Sequence, residues 1–302
     1  MSVNRQQDLP ACVRHPDRPT GLRCVRCDRP ACPDCLREAS VGYQCVDCVT
    51  EGARTVRTPR PVRRFRSAGG PRLVVVPTLI VVNVVAFAAT AIQAGSIVEN
   101  QGSALFVDGM LVPGYVAAGE WWRLVTSGFL HFGNYGGYGP VHLLFNMFAL
   151  WVIGRDLEVA LGRGRFLAVY ALALLGGSTV IMLFGPLDGG VAGASGAVYG
   201  LFGGIAVMVF KARINPTPVL MLIAINIFLS VTLPGISLLG HVGGLVAGAL
   251  ATAAMVYAPP VRRTQLQAGA CMVLGLAMIV AIGLRGAVLD CAIDALGLYC
   301  AT

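Results

Sequence analysis

Charge is scarce in this chain: Asp, Glu, Lys and Arg make up 13% of 302 residues, against 56% hydrophobic residues. With a mean hydropathy of +0.71, that balance excludes an ordinary soluble domain and predicts a polytopic membrane protein. A cleavable leader is not expected either. The first seventy residues are polar, cysteine-rich and arginine-rich, with no short apolar stretch ending in a small-residue cleavage site. The N-terminus is therefore expected in the cytoplasm. The net charge of +8 does not call for nucleic acid, because the arginines crowd just before the first apolar span, where membrane topology accounts for them.

Large apolar residues are few in residues 1–52, so this segment needs another source of folding free energy. Seven of the ten cysteines fall between Cys12 and Cys48. With one histidine they form four successive pairs: Cys12 and His15, Cys24 and Cys27, Cys32 and Cys35, Cys45 and Cys48. Two residues separate the members of each pair, a gap that places two ligands on one tetrahedral ion. Eight ligands suit two closed, structural Zn²⁺ sites, and metal binding would then supply much of the folding free energy. Disulfides are the alternative; a reducing compartment and a histidine partner argue against them. The order of pairs resembles small B-box or RING-like cross-braced fingers. That resemblance joins Cys12 and His15 to Cys32 and Cys35, and Cys24 and Cys27 to Cys45 and Cys48, with sequential pairing as the alternative. The segment reads as an interaction module for a cytoplasmic protein partner. Residues 53–72 carry prolines, glycines and arginines without an apolar period and read as a basic linker able to lie on anionic lipid headgroups.

Seven apolar stretches of spanning character follow, near 73–92, 141–154, 166–185, 191–210, 217–233, 236–257 and 268–289. The second is short and is expected to continue into the polar run that follows it. With the first helix entered from inside, alternation places Arg155, Arg163, Arg165, Lys211, Arg213, Arg262 and Arg263 all inside. The C-terminal tail then lies outside, where Cys291 and Cys300 are expected to form a disulfide, two free thiols being the alternative.

Two of these spans carry matching stripes of small residues. Gly196, Gly200 and Gly204 recur at helical spacing beside Ser195 and Tyr199, and Gly240, Gly244 and Gly248 answer them beside His241. Such stripes let helices approach closely enough for a short serine side chain to meet an imidazole. Packing alone is the plainer reading of the stripes. Topology adds that His142, Ser195 and His241 all lie near the outer ends of their helices, about one turn in. His142 and Asn146, four residues apart, share a face and can both donate hydrogen bonds.

Residues 73–257 resemble the rhomboid intramembrane serine proteases. Four motifs carry the likeness: E-x-W-R at Glu120 to Arg123, H-x-x-x-N at His142 and Asn146, G-x-S-G at Gly193 to Gly196, and G-H-x-G-G around His241. The resemblance implies Ser195 as nucleophile, His241 as its base without an aspartate, Tyr199 stacked on His241, and an oxyanion site of His142, Asn146 and the Ser195 N–H. It makes Trp122 and Arg123 braces of the external loop, and His131 is read as structural. No catalytic cofactor is implied, and the substrates would be transmembrane proteins in the lipid bilayer. The alternative is a catalytically inactive rhomboid-like protein that binds membrane clients. The expected architecture is an all-α polytopic bundle in a cell membrane, N-terminus cytoplasmic and C-terminus external. Its parts are a zinc-binding domain (1–52), a linker (53–72), a six-helix core (73–257), and a seventh helix with tail (258–302). The glycine-rich run between His131 and His142, the cysteine domain and the seventh helix fall outside the likeness.

Overall fold

Two compact units divide the chain at Gly70 and Pro71. The computed structural model describes residues 9–55, 73–134, 140–294 and 297–301. Most of the expected linker (56–72) and the centre of the glycine-rich loop (135–139) lie outside the described residues.

In the first unit, β1 (Ala11–Cys12) pairs with β2 (His15–Pro19), and β3 (Leu36–Glu38) with β4 (Tyr43–Cys45), before α1 (Val46–Thr55). The buried set here is mostly cysteine: Cys12, Cys24, Cys32, Cys35, Cys45 and Cys48, joined by Ala31 and Leu36. A core this poor in large side chains cannot offset the entropy of ordering the segment, which makes the sulfur clusters the structural centre.

The second unit begins with α2 (Val75–Ala94). Three short helices follow, α3 (Ala104–Gly109), α4 (Pro113–Ala117) and α5 (Arg123–Thr126). Then come α6 (Val141–Ala149), α7 (Arg155–Leu161), α8 (Arg163–Phe184), α9 (Ser195–Ala212), α10 (Thr217–Thr232), α11 (Leu238–Tyr257) and α12 (Arg263–Val288). Five of these, α2, α8, α9, α11 and α12, are long and apolar enough to cross a membrane, and α10 is a shorter apolar helix. The short second span does continue: α6 passes through a π-helical stretch, Leu150–Gly154, straight into α7.

That continuation puts Glu158 beneath the start of α2. Its carboxylate accepts hydrogen bonds from the backbone N–H groups of Val74 (2.8 Å), Val75 (3.0 Å) and Val76 (2.8 Å). A helix start in apolar surroundings leaves such N–H groups without partners, and an acid from another helix supplies them here.

The span expected at 191–210 is corrected to Ser195–Ala212. Apolar composition suggested helix from Val191, but Val191 bridges to Leu111 in strand fashion, and Gly193 holds φ +141°. The helix therefore starts at Ser195, which sits at its first residue and not a turn within it.

Helices α8, α9 and α11 form the centre through glycine. A Cβ at Gly244 would collide with the Gly196 carbonyl, one at Gly248 with the Gly200 backbone, and one at Gly204 with Thr252 Oγ1. The two anticipated stripes thus mesh in register. A third helix joins them: a Cβ at Gly177 would stand 2.8 Å from the Gly240 carbonyl oxygen, and one at Gly176 would meet Gly243 O at 2.9 Å. Alanine at Gly240 would press on Ile181 Cδ1 at 3.0 Å, a movable side-chain end.

Helix α12 is tied to this core by Gln267, 4% exposed, which accepts from Arg165 Nε (2.9 Å) and donates to Met255 O (2.6 Å). Beyond it, β5 (Asp290–Asp294) pairs antiparallel with β6 (Gly297–Ala301), setting Cys291 opposite Cys300 in a disulfide. These strands lie against α4, where a Cβ at Gly114 would come 2.6 Å from Leu298 Cδ2.

Candidate functional site

The chain turns into α9 through Gly193, and the turn explains the glycine. At φ +141° a side chain is disfavoured, and a Cβ would stand 2.9 Å from His142 Nε2 and 3.5 Å from Ser195 Oγ. Ser195 and His142 thus border the same small space. Ser195 is half-buried at the first position of α9, where the N–H groups of Ser195, Gly196 and Ala197 precede the first intrahelical bond, Val198 N to Ala194 O. Free N–H groups at a helix start favour negative charge.

His142 is the second residue of α6 and His241 the fourth of α11, so all three groups lie within one helical turn of their helix starts. The ring of His142 lies 5.1 Å from that of His131, a fully buried residue whose Nε2 accepts from the Ala194 N–H (3.4 Å). His131 thereby fastens the turn before Ser195. Asn146 is buried on the same face, and its amide donates to the His142 carbonyl (2.9 Å).

The imidazole of His241 lies flat on the Tyr199 ring, centroids 3.8 Å apart and planes within 13°. Its Nδ1 is 2.7 Å from Ser230 Oγ on α10. Ser195 and His241 stand on facing helices, and no hydrogen bond joins them among the described residues. Such bonds are often long before substrate binds and tighten afterwards. Ser230 was not anticipated from sequence. The available signal was Asn226 and Ser230, two polar residues one helical turn apart in an otherwise apolar span.

Arg123 braces the segment between α2 and α6. It pairs with Glu120, donates to Val107 O and Met110 O, and lies 4.6 Å over the Tyr115 ring. Trp122 donates to Asp108 O (3.1 Å). Both contacts hold α3 beside α5.

In the first unit, eight ligand atoms gather into two groups: Cys12, His15, Cys32 and Cys35, then Cys24, Cys27, Cys45 and Cys48. Within each group the atoms all lie within 4.8 Å of one another. The pairing is the interleaved one and not the sequential one. His15 offers Nδ1, 3.4 Å from both Cys32 Sγ and Cys35 Sγ. The crowding of sulfur shows in the thiols: Cys48 is pushed up to about 12, first by its hydrogen bond with Cys27 and then by burial. Either group could hold a metal ion.

Comparison with known proteins agrees with the geometry. A family model described as "Rhomboid domain" matches residues 118–259. The chain is 37% identical over 145 residues to rhomboid protease GluP of Bacillus subtilis (strain 168), covering 46% of this chain and 27% of that protein. It is 37% identical over 147 residues to the putative rhomboid protease YdcA of the same strain, covering 46% of this chain and 71% of that one. Rhomboid protease AarA of Providencia stuartii is 27% identical over 216 residues, 60% of this chain and 72% of that protein.

Proposed function

The chain belongs to the rhomboid family, and from that premise we propose that it is an intramembrane serine protease cutting transmembrane proteins near the outer ends of their helices. The observation that carries the proposal is Ser195 at the first residue of α9, beside His142 and one turn above the Tyr199 and His241 stack. In this reading the Ser195 oxygen attacks the scissile carbonyl carbon while His241 Nε2 takes the hydroxyl proton. The carbonyl oxygen becomes negative and is met by the Ser195 N–H, His142 and Asn146, preorganised donors in a site of restricted water. His241 then gives the proton to the departing amine, and water resolves the acyl-enzyme by the same two steps. Asn146 must turn an N–H from the His142 carbonyl, or use its second one, to serve as such a donor.

The site lies at helix ends, which lets water reach it from one side of the bilayer. The positive-inside distribution orients that side as external, with the N-terminal unit cytoplasmic and the Cys291 to Cys300 disulfide outside. The two sulfur groups are assigned to Zn²⁺. A Zn–S bond of about 2.3 Å in a tetrahedron requires neighbouring ligands about 3.6–3.8 Å apart. The observed 3.8 Å between Cys27 and Cys45 fits that edge, and the 3.4 Å from His15 to Cys32 suits the shorter edge of about 3.5 Å that a Zn–N bond of about 2.0 Å gives. With its ligands closed, the ion is structural, and the unit serves to bind a cytoplasmic protein partner.

Incubation of the purified protein with a fluorophosphonate, followed by peptide mapping, should place the adduct on Ser195. An adduct on another serine that persists in Ser195→Ala would overturn the assignment.

A further inference from the structure

Helix α10 buries a single residue among its own, Ser230, and that residue meets the base. Its oxygen lies 2.7 Å from His241 Nδ1, 2.8 Å from Tyr199 Oη and 2.8 Å from the Asn226 carbonyl oxygen. Tyr199 Oη is also 2.7 Å from that same carbonyl. We infer that Ser230 is a positioning residue: it accepts a hydrogen bond from His241 Nδ1–H and so fixes the tautomer whose bare Nε2 can take the proton of Ser195.

The direction follows from hydrogen counting. A carbonyl oxygen only accepts, and each hydroxyl has one hydrogen. Were the Ser230 hydrogen pointed at His241, two oxygens would face each other at 2.8 Å with no proton between Ser230 and Asn226. Three oxygen pairs at 2.7–2.8 Å among Tyr199, Ser230 and Asn226 O share two hydrogens, so one pair always lacks a proton; a Ser230 hydrogen on His241 leaves two such pairs, whereas the Ser230 and Tyr199 hydrogens on Asn226 O leave only one. The lone pairs of Ser230 then remain for Nδ1, which must carry the proton. A hydroxyl thus takes the orienting place that a carboxylate holds in other serine hydrolases. It orients without adding a buried charge, whose desolvation in an apolar bundle would be costly. The hydroxyl of Tyr199 shares this anchor, so one side chain both stacks on the ring and steadies its partner.

The consequence for activity rests on the protease reading; the tautomer does not. The test is nitrogen-15 NMR of the full chain in lipid bilayers at pH 8, with imidazole labelling and His241→Gln to assign one of four histidines. Wild type and Ser195→Ala should both show His241 protonated on Nδ1. Ser230→Ala should populate the Nε2–H form, and Ser230→Thr should restore the original signal. A wild-type His241 protonated on Nε2, or a signal unchanged in Ser230→Ala, would overturn the proposal. In cleavage assays, loss of one orienting hydrogen bond should lower kcat about tenfold with KM within about twofold, and Ser230→Thr should recover it. Unchanged kcat in Ser230→Ala would also overturn it. Failure of the protease reading shows differently, as cleavage persisting in Ser195→Ala while the tautomer stays as inferred.

Discussion

Gly244→Ala adds one methyl group, and the structure sets where it goes. The carbonyl oxygen of Gly196 already occupies the space a Cβ would need, with the Gly196 Cα 3.0 Å away. These are backbone atoms one residue from Ser195, so no side-chain rotation relieves the overlap. Helices α9 and α11 must part by on the order of 1 Å to restore van der Waals distance. Overpacking of this kind costs about 1–3 kcal/mol, offset by up to about 1 kcal/mol from the higher helix propensity of alanine. The larger effect falls on chemistry, because His241 moves with α11 and Ser195 with α9. A misplacement of about 1 Å lowers rate by on the order of 10²-fold. The control is Gly269→Ala on α12, where a Cβ would meet nothing within 4 Å. Both variants should be purified in detergent, their thermal unfolding compared, and cleavage of a model transmembrane substrate measured. The expected result is a folded Gly244→Ala protein with kcat reduced roughly a hundredfold beside an unaffected Gly269→Ala. Wild-type turnover and unfolding temperature in Gly244→Ala would refute the argument that the glycine seam sets the distance between serine and base.

Other outcomes follow from the same contacts. Glu158→Ala leaves the N–H of the fully buried Val76 unpaired and should destabilise the fold by about 2–4 kcal/mol, with Glu158→Gln intermediate; equal stability of all three by denaturant unfolding would contradict the capping role. Metal analysis of the full chain should return two zinc ions, and Cys24→Ser should disturb both clusters because they interleave. A thiol reagent that cannot cross the membrane should label Cys291 and Cys300 in intact cells only after reduction; labelling without reductant would show free thiols, and no labelling after it would argue against an external tail.

Much of the site was legible because its chemistry sits in local spacing. Gly193, Ser195 and Gly196 are adjacent in sequence, His142 and Asn146 are one helical turn apart, and the meshing of Gly196 with Gly244 follows from two stripes of equal period. Glu158, Ser230 and the Gly176 and Gly177 pair were not legible in the same way. Each acts on an element far away in the chain, and only the crossing of helices decides whether it faces a helix start, an imidazole or lipid. The early start assigned to α9 had a related cause: Val191 to Ala194 is apolar enough for a span, yet the bridge to Leu111 and the φ of Gly193 hold it extended. The two ligand groups were legible in residue identity, while their pairing rested on the order of pairs until the folded strands brought His15 to Cys32 and Cys35.

The most direct test of the central claim is cleavage of a transmembrane substrate by purified wild-type protein and by Ser195→Ala, reconstituted in the same bilayers. A nucleophile cannot be replaced by the donors around it, so wild type should release the cleaved fragments and Ser195→Ala should release none above background. Cleavage by Ser195→Ala at the wild-type rate would contradict the account.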